Sequence, residues 1–202
     1  MMLDDQVRDE IALIRDAIGE GRAYATECGR DMLVWGLAVA AGYLATYAFR
    51  RGWSAVHPNL VWTVCVGLPW LYSLRNIGQR LITADAALRH SPMVTALRML
   101  WLGCGIFLTT LAIAAMASGD IRLGRFEPVV AGVLGIGVFA TAWLAGLAWL
   151  RWVAVAWWAG ELALYALRQR PEASLLAAAL TLLLLAAPGL ALVIRRRRLY
   201  RT

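Results

Sequence analysis

The stretch PVVAGVLGIGVFATAWLAGLAWLRWVAVAWWAGELALYAL, Pro128 to Leu167, contains forty residues and only two charges, Arg151 and Glu161. As one helix it would be about 60 Å long, twice the ~30 Å hydrocarbon core of a bilayer. It therefore reads as two spans, Pro128–Leu150 and Trp152–Leu167, joined by a tight turn between about Gly146 and Arg151. That choice sets the fold, because it decides whether the chain crosses a membrane five times or six.

Four further uncharged windows flank this pair: Met32–Phe49, Gly52–Leu74, Met99–Gly119 and Ala173–Ile194. Each approaches the ~20 residues that cross the hydrocarbon layer. The composition agrees. Hydrophobic residues make up 61% of the 202 and charged ones 16%, well beyond the roughly 45 to 50% apolar content of soluble domains. All the basic residues are arginine, and their placement selects the topology. With six spans and a cytoplasmic N-terminus, fourteen of the 20 lie inside: four before the first span, Arg75, Arg80, Arg89 and Arg98, then Arg151, and five in the tail. Five spans would leave ten inside, nine outside and Arg151 in lipid. The positive-inside rule favours six spans with both termini cytoplasmic. The expected fold is all-α: a polytopic membrane helix bundle of six transmembrane helices in three hairpins. Arginine ahead of an apolar run at Arg30, Arg98 and Arg151 fits a threefold hairpin plan. Trp53, Trp149 and Trp152 fall at span ends, where indoles settle at the headgroup level.

The chain divides into residues 1–30, an amphipathic acidic cytoplasmic helix with its connector; 31–194, the six-helix transmembrane domain; and 195–202, a basic cytoplasmic tail. In the first part Leu3, Val7, Ile11, Ile14 and Ile18 recur at helical spacing with charges between them. Membrane-surface helices carry Lys and Arg on the polar face. From Met1 to Asp31, however, there are four arginines and eight acids. The stripe is thus expected to contact protein, either a partner or this chain's own basic cytoplasmic face. That face includes the tail and the second loop, where Ile77, Leu81, Ala84 and Leu88 suggest a further short amphipathic helix. Small residues four apart, Ala38 and Gly42, Ala131 and Gly135, Ala142 and Gly146, permit close helix approach or a homo-oligomer contact.

Glu161 is the only acid within these windows, and intramembrane carboxyls mark functional sites by default. On a helix its face includes Trp157 and Tyr165, with Trp158 beside it. Hydrogen bonds to Tyr43, Thr46, Tyr47 or Thr109 would support it. Thr109, Thr110 and Thr141 read as hydrogen-bonding to their own helix backbone. No nucleotide, hydrolase or zinc motif is present. His57 and His90 fall on opposite faces, and Cys28, Cys65 and Cys104 are dispersed. No catalytic residue, metal or cofactor is expected, and no nucleic-acid partner, since the arginines are interspersed among apolar runs. Two functions remain: a non-catalytic bundle that anchors, senses or regulates through its cytoplasmic surface, or a small proton-coupled transporter or channel for a cationic or amphipathic solute using Glu161.

LVWGLAVAAGYLATY followed by HPNLVW resembles uncharacterised bacterial six-span inner-membrane proteins that carry a short amphipathic N-terminal helix. Trp35, Gly36, His57, Pro58 and Trp62 carry the likeness, over roughly the first half of the chain. The resemblance implies a bacterial inner-membrane location and six spans, with no known activity and no catalytic residues to transfer.

Overall fold

In the computed structural model, residue 19 and residues 28–83, 92–117 and 126–199 are described, with side chains omitted at 77–83 and 196–199. The N-terminal stripe from Leu3 to Ile18 and residues 84–91 lie outside them. The described residues form six helices and no strand: α1 Cys28–Arg50, α2 Pro58–Thr83, α3 Pro92–Ala117, α4 Phe126–Leu144, α5 Ala148–Leu167, and α6, which runs from Glu172 to Leu199 through a π turn at Leu182–Ala186.

Four of these, α1, α3, α4 and α6, are long and apolar enough to cross a membrane. The other two have the length, but polar residues and indoles dilute their apolar character. In α2 these are Asn59, Trp62, Trp70 and Arg75; α5 holds four tryptophans together with Arg151 and Glu161. Each nonetheless carries exposed apolar side chains. Leu60, Val64, Leu68 and Leu71 form an exposed row on α2, and Trp152, Val155 and Leu162 project from α5.

Two boundaries moved for the same reason. Gly146 adopts φ 62° and Gly52 φ 74°, a left-handed conformation that costs glycine little. At each, the glycine N–H bonds the carbonyl three residues back (Trp143, Phe49), and the next N–H bonds the one five back (Ala142, Ala48). That pair of bonds is the Schellman helix stop. The α4–α5 turn is therefore Ala145–Leu147, and Trp149, Leu150 and Arg151 belong to the first turns of α5 rather than to the turn. Similarly, the second helix starts at Pro58 instead of Gly52. It continues to Thr83, so Arg75, Ile77 and Leu81 of the expected second loop are helical continuations of α2.

Consecutive helices run antiparallel, and α1 also crosses α6. A Cβ added at Gly189 would sit 2.7 Å from the Gly29 carbonyl and the Leu33 nitrogen, and one at Gly36 2.7 Å from the Ala186 nitrogen. Backbone approach this close requires glycine. Small residues elsewhere receive indoles from neighbouring helices: Trp62 covers Gly42, Trp158 covers Gly135 and Trp101 covers Gly137. The core between α4, α5 and α6 is made of Val130, Leu134, Val138, Leu150, Trp157 and Leu164.

Pro188 has no N–H to give the carbonyl four residues earlier, that of Leu184. The α helix widens into its π turn immediately before this point, and the Trp157 indole donates to the orphaned Leu184 oxygen at 3.2 Å. A proline in a water-free helix is tolerated where a neighbour satisfies the freed group in this way.

The glycines make the packing testable. Gly189→Ala is expected to destabilise the bundle by ~1 to 3 kcal/mol, because backbone atoms cannot move aside. Gly67→Ala and Gly103→Ala meet nothing within 4 Å and are expected to be neutral or stabilising by up to ~1 kcal/mol. Unfolding in mixed micelles with increasing denaturing detergent measures both.

Candidate functional site: an indole-lined slot and a buried carboxyl

Helices α1 to α4, with Leu185 of α6, line a partly open cavity of about 520 Å³, in which Trp35, Trp62, Trp70 and Trp101 form much of the wall. The indoles are held by their nitrogens. Trp35 donates to Ser73 Oγ at 3.1 Å, Trp62 to Thr46 Oγ1 at 3.0 Å, Trp70 to Thr109 Oγ1 at 2.9 Å and Trp101 to Thr141 Oγ1 at 3.0 Å. Thr46 and Thr141 in turn donate to the carbonyls of Gly42 and Gly137, four residues back on their own helices. Spending the hydroxyl proton on the backbone leaves the oxygen lone pairs for the indole, so each threonine serves both helices. Interhelical hydrogen bonds of this kind contribute about 0.6 kcal/mol on average and up to ~1.7.

With the N–H groups engaged, the rings offer the cavity carbon surface. Trp35 and Trp70 meet edge to face with centroids 5.8 Å apart, as do Tyr43 and Trp62 at 5.0 Å. The lining on α1 extends from Cys28 to Tyr43, a length of about 22 Å along the axis. The space is consequently a long slot. Its polar lining includes Asp31, Ser73, Asn76, Thr95 and Arg98 towards the end holding the start of α1, with Asn59 and Tyr43 towards the other. The volume falls within the roughly 300 to 1,000 Å³ of small-molecule sites.

Glu161 is not among the residues lining this slot. Its carboxyl rests on α4, where a Cβ at Gly132 would lie 3.0 Å from both oxygens. The residues expected around it point elsewhere. Trp158 covers Gly135 one turn along, Trp157 turns to α6, and Tyr165 is exposed beneath the Arg168 guanidinium at 4.3 Å. None of the four proposed hydrogen-bond partners reaches Glu161. Thr46 and Thr109 hold indoles, and Tyr43 is buried along the slot.

Among the described residues, the fully buried carboxyl is that of Glu127, in the first turn of α4 and 1% exposed. Ser174, at the start of α6, donates to its Oε1 at 2.7 Å, and Arg50, the last residue of α1, donates to the Ser174 hydroxyl at 3.4 Å. Oε2 is buried without a hydrogen-bond partner. Three helices are thus tied at one end by a carboxyl at a helix N-terminus, where the dipole favours negative charge. Two neighbours of Glu127 on α4, Phe126 and Val130, line the slot together with Tyr43.

Family models, curated proteins and solved structures give no match to this chain. The site is therefore defined by its geometry alone. Among the described residues, no three His, Cys, Asp or Glu side chains gather as a metal ion would require.

Glu127 was missed because the fourth uncharged window begins one residue after it, at Pro128. The available signal was its place in the sequence: an acid directly before a proline and a long apolar run marks a helix first turn. The slot had no comparable signal, since its tryptophans are spread over three helices.

Glu127→Ala is expected to cost ~2 to 4 kcal/mol, combining a cavity with the loss of the acceptor for Ser174. Glu127→Gln keeps an acceptor oxygen and should cost less than half as much. Detergent-induced unfolding of the two variants side by side checks the ordering.

Proposed function

We propose that this chain is a non-catalytic protein of a bacterial inner membrane, crossing it six times with both termini cytoplasmic, and that it holds an elongated amphipathic molecule in the slot between α1 and α4. The indole-lined cavity carries this reading. An apolar slot about 22 Å long, walled by ring faces and bordered at one end by Ser73, Asn76 and Thr95, suits an alkyl or aromatic body with a polar head. The alternating helix directions, the exposed apolar faces of all six helices and the arginine distribution support six spans. Glu161, outside the slot, is not assigned to the bound molecule. Sensing or regulation through the N-terminal stripe is compatible with ligand occupancy of the bundle.

Two experiments test the reading. For topology, reporter fusions after Gly119 and after Thr202 should fall on opposite sides of the membrane, and the same side for both would remove the six-span arrangement. For the ligand, a fluorescent medium-chain amphiphile should bind the nanodisc-embedded protein saturably. Gly105→Leu, which points a side chain towards Trp70 from 3.4 Å, should weaken that binding about tenfold, equivalent to ~1.4 kcal/mol. Gly67→Leu, with nothing within 4 Å, should leave it unchanged. Equal binding by wild type and Gly105→Leu would rule out the slot as the site.

A further inference from the structure

Arg151 stands in the first turn of α5, which contains no acid and whose preceding residue, Leu147, supplies no side-chain cap. A cation at this end of a helix is disfavoured by the dipole, by about 0.3 to 1 kcal/mol at exposed sites. The guanidinium lies over the Trp143 ring, 3.8 Å from its centroid, and Trp143 is 55% exposed. Its Nε is buried without an acceptor. Among the described residues no carboxylate pairs with Arg151, so the terminal nitrogens are the part of the fork left to face outward. Below the Trp143 ring, Phe139 and then Trp158 continue along the same outward seam of α4 and α5, with centroids 6.1 and 5.4 Å apart, and Ile136 is exposed beside them. Around α5 a second pair repeats the arrangement: the Arg195 guanidinium lies 5.7 Å from the centroid of Trp149.

We propose that the α4–α5 turn binds the headgroup phosphate of an anionic phospholipid, with the terminal nitrogens of Arg151 on the phosphate oxygens and the acyl chains along Trp143, Phe139 and Trp158. The ring held flat beneath the guanidinium fixes the direction of its donors, and a planar fork suits a tetrahedral oxyanion. The headgroup anion offsets the charge that the helix end disfavours. The aromatic seam distinguishes a lipid from a free phosphate, since only a lipid has chains to lay on it. This site is separate from the slot and is independent of what the slot holds.

The test is the thermal stability of the full-length protein in micelles doped with phosphatidylglycerol or, as the neutral comparison, phosphatidylcholine. Phosphatidylglycerol should raise the melting temperature saturably, and phosphatidylcholine should not. Arg151→Gln should weaken the apparent lipid affinity about fivefold, the scale of one arginine at an anionic surface. Arg30→Gln, an exposed arginine at the same end of the bundle, should have no comparable effect. Trp143→Leu retains the charge but removes the platform, and should also weaken the response, which guards against misfolding of the charge variant. Equal responses to the two lipids would overturn the proposal, as would equal losses in Arg30→Gln and Arg151→Gln. The same stabilisation by inorganic phosphate would replace the lipid with a simple anion site.

Discussion

In a helix bundle whose outer surface is leucine, valine, isoleucine and tryptophan, a polar hydrogen inside is costly without an acceptor from the protein. Among the described residues the Trp149 indole and Arg151 Nε are buried donors that lack one. The indole N–H is one such group that this chain places repeatedly. Threonine provides the main solution. By returning its proton to the carbonyl one turn back, it becomes an acceptor at fixed height and direction on a helix. Thr46 and Thr141 do this for Trp62 and Trp101. Trp157 solves the same problem differently, taking the Leu184 carbonyl that Pro188 leaves unbonded. The spacing between helices, and the space among them, follows from these bonds.

Two packing regimes result. Where glycine faces backbone, at Gly29, Gly36 and Gly189, α1 and α6 nearly touch. Where tryptophan bridges, α2 is held at an indole's length from α1 and α3. The first regime gives a dense half built from α4, α5 and α6 with α1 against it. The second leaves the slot. The carboxyl of Glu127 lies at the boundary between them, fastened through Ser174 to the dense half and adjoining slot-lining residues on its own helix.

Much of this architecture was legible in the sequence. Charge-free windows located the helices, and the forty-residue stretch was resolved into two because no helix that long fits a membrane. Helix ends were less legible, because glycine stops act locally: Gly52 and Gly146 end their helices through φ and two hydrogen bonds, which a window of hydropathy averages away. The site was the least legible part. Glu161 stood out because its neighbours are apolar, yet it rests against the groove at Gly132. Glu127 borders an apolar run and fell just outside its window, but α1 and α6 close over it. Sequence distance cannot reveal burial contributed by α1 and α6, whose residues Arg50 and Ser174 lie 77 and 47 residues from Glu127 along the chain.

Under the six-span reading proposed above, the three-residue turn between α4 and α5 also bears on how the chain enters a bilayer. Arg and Glu each raise the free energy of inserting a helix, by as much as ~2.5 kcal/mol or more for arginine near its centre, and α5 carries one of each. Its partner α4 is strongly apolar and joined to it by a stop that leaves almost no slack. With Trp158 over Gly135 and Glu161 over Gly132, the two helices bring complementary surfaces and a prearranged pairing to the membrane. During synthesis they would partition as one hairpin, with the apolar member carrying in the one that is poorly suited to insertion alone.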